Sequence, residues 1–185
     1  TSYKKRATFP KIPIQEQQNI SGILSLVQQA TEHQEKLITL TTELKKNLLH
    51  KLFTEGLHGE AQKQTENGPV PESWEVVKLS EVAKIQSGGT PSREIPDYWT
   101  DGDIPWVKTG EIDYRVICTT EERITREGLA NSSARIFPKG TLLMAMYGQG
   151  VTRGRVGLLG IDAATNQACA AIMPHDERRV SSKFI

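Results

Sequence analysis

Between Pro13 and Phe53 the chain runs for about forty residues with one glycine, Gly22, and no proline after the first position, in a composition dominated by Gln, Glu, Lys and Leu. These side chains lose little freedom in a helix and do not compete for its backbone bonds, so one continuous helix is expected. Apolar positions step by fours and threes through Ile20, Leu24 and Val27, pass polar Thr31 and Gln34, and resume at Ile38, with a second line through Leu37, Leu44 and Leu48. Such a stripe is a coiled-coil seam. At about 1.5 Å per residue the rod is on the order of 60 Å long, more than a small domain can cover, so the seam calls for a second helix. Lys45, Lys46, His50 and Lys51 near its C-terminal end suit the helix dipole, a reading preferred here to phosphate contact, and Gly56 is positioned as a C-cap.

The texture then changes. Residues 58–70 are polar, Gly- and Pro-containing and aperiodic, as expected of a linker. Beyond them, Ile104 to Ile117 reads as one or two strands, and Leu142 to Met146, Val156 to Ile161 and Ala168 to Met173 are short apolar runs bounded by glycine or proline, which suits buried strands. The expected fold class is α+β, a mixed domain attached to a long coiled-coil-forming helix. The missing initial methionine and the ending at Ile185 on an unfinished element are read as marks of a fragment.

With 23 Lys and Arg against 22 Asp and Glu, the net charge of +1 gives no global sign of a polyanionic partner, so any nucleic-acid role rests on local patches. No apolar run approaches membrane-spanning length, and the N-terminal residues lack the apolar core of a secretory signal, which makes the cytoplasm the expected compartment. Cys118 and Cys169 have no partner at disulfide-framework or zinc-knuckle spacing and are expected to be buried thiols.

Catalytic patterns are missing. No GxxxxGK[ST] phosphate loop occurs; Gly148-Gln149-Gly150 starts like a dinucleotide fingerprint, but Arg153 replaces the third glycine. Pro96-Asp97 is not followed by the acid-x-lysine triplet of common metal-dependent nucleases, and the four histidines are scattered. No cofactor, metal or catalytic residue is expected on this chain.

Three segments combine glycines, hydroxyls or amides and basic groups, the kit for approaching a nucleic-acid backbone and reading base edges. In Ser87 to Arg93, Thr90, Ser92 and Arg93 are candidates for DNA contact, against the alternative of a plain turn. In Trp106 to Glu111 the candidates are Lys108 and Thr109, with Trp106 assigned to the core. From Tyr147 to Gly160 there are five glycines, two arginines and no carboxylate; Tyr147, Gln149, Thr152, Arg153 and Arg155 are candidates, the amide suited to adenine and the guanidinium groups to guanine, against a glycine-rich hairpin with solvated arginines. Asn166 and Gln167 form a polar island that either caps a turn or reaches a ligand.

These segments, in order, resemble the specificity subunit of type I restriction–modification systems. The resemblance runs through Ile12-Pro13-Ile14-Gln15-Glu16-Gln17, Leu52 to Leu57, Pro71-Glu72-Ser73-Trp74-Glu75, Gly89-Thr90-Pro91-Ser92, Tyr98-Trp99, Gly102 to Val107, Gly110-Glu111-Ile112, Ile124-Thr125 with Gly128-Leu129, Ser132-Ser133, Pro138 to Thr141 and Thr165-Asn166-Gln167-Ala168. It implies a domain map: 1–12 the tail of a preceding target-recognition domain, 13–57 the spacer helix, 58–70 the linker, and 71–185 a target-recognition domain incomplete at its C-terminus. It further implies a non-catalytic reader of double-stranded DNA, partnered by methyltransferase subunits, which hold the S-adenosylmethionine chemistry, by translocating nuclease subunits, and by another specificity helix or half. Ile20, Leu24, Val27, Ile38, Leu44 and Leu48 are the expected subunit interface. Two alternatives stay open: an assembly adaptor that binds only protein, and a stand-alone methyltransferase or nuclease, which the missing motifs disfavour.

Overall fold

A computed structural model describes residues 10–147 and 152–185 and divides the chain into two compact units, Thr1–Val76 and Val77–Ile185. In the first unit, helix α1 (Ile14–Glu55) is unbroken through Gly22 and ends at Gly56, whose φ of 68° and N–H bond to the Leu52 carbonyl make it the expected C-cap. Its apolar stripe is exposed: Ile20, Leu24, Val27, Ile38, Leu44 and Leu48 all lie open, and Thr54 is the buried residue of the helix.

The expected linker is not irregular. Residues Gln62–Thr65 (β1) and Gly68–Pro71 (β2) pair antiparallel around a two-residue turn at Glu66 and Asn67, with the Thr65 hydroxyl donating to the Gly68 carbonyl at 2.7 Å. Gly68, with φ of 108°, follows the turn at a position that favours glycine, a signal obscured by Pro69 and Pro71, which a two-stranded ribbon tolerates because each strand has a free edge. The segment up to Val76 belongs to the same compact unit as the helix. Pro71 is buried, Trp74 meets Phe53 edge-on with centroids 6.1 Å apart, and the Glu60 carboxylate accepts from the Ser73 N–H.

The second unit contains two sheets. The five-stranded sheet has the order β3-β11-β8-β9-β5, where β3 is Ala83–Ser87, β5 Val116–Ile117, β8 Leu142–Ala145, β9 Val156–Leu159 and β11 Cys169–Pro174. The four-stranded sheet has the order β6-β4-β10-β7, where β4 is Ile104–Val107, β6 Glu122–Ile124, β7 Ile136–Phe137 and β10 Ala163–Thr165. Short helices α2 (Leu79–Val82) and α3 (Arg126–Ala130) complete the unit, α3 capped by the Thr125 hydroxyl on the Gly128 N–H. The α+β class is as expected, and the apolar runs read as strands contain β8, β9 and most of β11.

Alternation explains the core. Val107 and Ala163 face a cluster that includes Phe137, Leu143, Leu159 and Ala171, drawn from both sheets, whereas their neighbours Trp106 and Ala164 face outward against Ile104, Ile124, Trp99 and Leu129. On the far side of the five-stranded sheet, Ala83, Leu142 and Ile172 pack with Leu79 and Ile185. Cys169 is buried as expected; Cys118 is exposed, because it follows the two-residue strand β5 and leaves the sheet with it.

Candidate nucleic-acid interface

Register places the segments singled out above at one end of the second unit. Strand β3 ends where β11 begins, with Ser87 opposite Ala170; β8 ends beside the start of β11, with Ala145 opposite Cys169; and β9 begins beside the end of β8, with Val156 opposite Met144. In the other sheet β4 and β10 run parallel and finish together, Val107 beside Thr165, while β6 and β7 begin at that same end. The turn 166–168 carries the chain from one sheet to the other. The loops at 88–93, 108–115, 119–122, 132–135, 152–155 and 166–168 therefore form a single rim.

The first loop is tied down tightly. Gly89 donates its N–H to the Thr165 carbonyl at 2.8 Å, and its own carbonyl accepts from Trp106 Nε1 at 3.0 Å. A Cβ on Gly88 would lie 2.6 Å from the Asn166 carbonyl oxygen, so only glycine lets the loop lie against the turn. Trp99 donates Nε1 to the Ser92 carbonyl and stands edge-on to Trp106, 5.0 Å between centroids. Arg93 stacks over this pair, its guanidinium carbon 3.5 Å from the Trp99 centroid, and reaches Glu122 at 2.6 Å.

Lys108 is placed similarly, 2.7 Å from Glu121 and 3.2 Å from Glu122, and hydrogen bonds to these two carboxylates raise its pKa above the ordinary lysine value. Burial pushes the Glu122 carboxyl up, but hydrogen bonds from Arg93 and Lys108 outweigh it and hold the group below the usual range. Glu111 ties the neighbouring segments together, one oxygen accepting from the Lys108 N–H and the other from the Glu121 N–H. Across the rim Arg155 pairs with Asp113 at 2.9 Å.

Residues 71–185 match the family described as the type I restriction modification DNA specificity domain. The chain belongs to that family. Over 120 residues it is 35% identical to the type I restriction enzyme MjaIX specificity subunit of Methanocaldococcus jannaschii, covering 62% of this chain and 26% of the relative. Over 167 residues it is 25% identical to the EcoR124I/EcoR124II specificity subunit of Escherichia coli, covering 90% of this chain and 40% of that one. The chain thus spans roughly a quarter to two fifths of the length of these curated relatives. The fold is like that of the HsdS subunit from Thermoanaerobacter tengcongensis, with a TM-score of 0.52 at 17% identity over 91% of this chain and 39% of the other.

Within this specificity domain the sequence-predicted residues sort into two groups. Arg93, Lys108 and Arg155 are engaged in ion pairs with carboxylates distant in sequence, Thr109 opens a 3-10 turn with a half-buried side chain, and Asn166 caps its own turn, its Oδ1 accepting from the Ala168 N–H at 3.1 Å and the Cys169 thiol at 3.2 Å. Burial pushes that thiol up to about 11, keeping it protonated as a donor at neutral pH. Exposed on the rim are Ser92, Tyr147, Arg153 and Gln167; Thr90 is half-buried and donates its hydroxyl to Gln167 Oε1, and Thr152 is half-buried with its carbonyl accepting from the Arg155 N–H. Gln149 lies outside the described residues.

The structure also adds residues that the sequence reading missed. Tyr114, Arg115 and Arg135 are exposed on the rim, and Arg115, Arg135 and Arg153 form no ion pair among the described residues. No glycine-rich segment marks Arg115 or Arg135; strand register alone brings them to this end.

Proposed function

We propose that this chain is a non-catalytic, sequence-specific DNA reader that acts within a type I restriction–modification complex, contacting one part of its duplex target through the rim of the specificity domain. The observation that carries this reading is the convergence of six loops, with three arginines that make no ion pair among the described residues, in a domain of this family. Guanidinium groups free of internal carboxylates are available to phosphates and guanine edges, while Arg93, Lys108 and Arg155 hold the loops in place. Helix α1 serves as the spacer: Ile20, Leu24, Val27, Ile38, Leu44 and Leu48 present an exposed apolar seam to a second specificity helix, with methyltransferase and translocating nuclease subunits as further partners.

The test is selection of duplexes from a random library by the full chain assembled with type I methyltransferase subunits. An enriched sequence that is lost in the Arg153→Ala, Arg135→Ala double variant is expected. An assembly that forms but enriches nothing would favour the adaptor that binds only protein.

A further inference from the structure

Among the described residues, Tyr114 is the one large side chain of the rim held with a left-handed backbone. Its φ is 53°, a region that glycine enters freely, asparagine and aspartate tolerate, and a tyrosine enters against a steric penalty. Asp101, with φ of 54°, is of the tolerated kind. Both flanks of Tyr114 are pinned. Asp113 is paired to Arg155, the Tyr114 N–H donates to the Val156 carbonyl at 2.8 Å, the Arg115 carbonyl accepts from the Leu158 N–H at 3.2 Å, and Val116 is already in register with Leu158. The ladder and the ion pair impose the conformation.

The side chain so placed is left largely to solvent. The ring is 71% exposed, and among the described residues its phenol has no hydrogen-bond partner. The other rim aromatics near Arg93 are packed and bonded, Trp106 being only 2% exposed. Tyr114 precedes Arg115 in the chain, and the two side chains line one open, largely apolar hollow with Leu142, Val156, Leu158 and Phe184. Tyr147, at the end of β8, is 70% exposed at the same end of the sheet. A rigid amphipathic ring with few rotamers and most of its surface open makes a large contact at low entropic cost, and a guanidinium next to it supplies the phosphate anchor.

We propose that Tyr114 is a specificity-determining residue, its ring set against the bases or sugars of the duplex while Arg115 holds the adjacent phosphate. This rests on the DNA-reading function proposed above. A residue kept for the fold alone would be replaced here by glycine with a gain in stability, and that difference makes the assignment testable.

The full chain, assembled with methyltransferase subunits, is titrated with the duplex it selects and with a scrambled duplex, as wild type and as Tyr114→Gly, Tyr114→Ala and Tyr114→Phe, with melting midpoints alongside. Tyr114→Gly is expected to melt no lower than wild type yet bind the selected duplex about tenfold or more weakly, with less loss on the scrambled one. Tyr114→Phe should lie between. Unchanged affinity in Tyr114→Gly, or equal losses on both duplexes, overturns the assignment; if Tyr114→Ala fails to fold, the glycine variant decides. A wild-type assembly that selects no sequence overturns the DNA-reading function itself, a result visible before any variant is made.

Discussion

The hydroxyl of Thr90 donates to Gln167 Oε1 at 2.5 Å, joining two loops 77 positions apart in the sequence. Both groups lie at the rim, so each orients the other before any ligand arrives. An exposed bond of this kind contributes about 0.5–1.5 kcal/mol, and Thr90→Val with Gln167→Ala in a double-mutant cycle on denaturant unfolding should return a coupling in that range. Additive effects would mean that the two loops are positioned independently.

The glycines beneath that bond should respond with opposite sign to Gly22 in the helix. A Cβ on Gly88 or Gly89 would run into the backbone of residues 165–166 or 133–134, where no flexible side-chain end can yield. Alanine at either position is expected to destabilise the domain by at least ~2 kcal/mol. Gly22, in the middle of α1 with nothing within 4 Å of its Cβ position, should instead be stabilised by alanine, by about 0.5–1 kcal/mol. Urea titration of the three variants distinguishes the cases.

Glu122 gives the rim an acid-sensitive anchor. Its folded pKa is lowered, so its contribution is fully present above its unfolded value, near 4.5, and is lost as the pH falls through the lower folded value. Melting temperature measured from pH 6 downward should therefore fall less steeply in Glu122→Gln than in wild type, from a lower starting point. Parallel curves would remove Glu122 from the acid response.

Rim arginines should separate by the slope of DNA affinity against salt. Substituting Arg115, Arg135 or Arg153 by alanine is expected to reduce the slope by about one unit each if each meets a phosphate. Arg93→Ala is expected to act chiefly on stability, because its guanidinium is committed to Trp99 and Glu122. A large slope change in Arg93→Ala with unaltered melting would reverse these roles.

Helix α1 was legible in the sequence because its signal is local and repeated: forty-two residues without an internal proline, apolar at threes and fours, closed by Gly56. Strands β8, β9 and β11 were legible as apolar runs between glycines and prolines. The partners of Arg93, Lys108 and Arg155 were not, since Glu122 and Asp113 reach them only through strand pairing, Asp113 from 42 positions away. Three basic side chains that stand out in one dimension are neutralised in three. Tyr114 and Arg115 lacked any glycine-rich context, and the 62–71 hairpin, with its polar first strand and two prolines, carried no apolar alternation for periodicity to detect.

Strand β10 belongs to one sheet and, three residues after its end, the chain enters β11 of the other, with Thr165 buried and its hydroxyl on the Val107 carbonyl. This crossing separates what holds the platform from what the platform carries. Substitutions at buried Thr165, Gly88 or Gly89 are expected to dismantle it, whereas exchanges at exposed Tyr114, Arg115, Arg135 and Arg153 are expected to leave it standing. On the proposed reading, what is recognised can therefore change at these outward positions without passing through an unfolded ancestor.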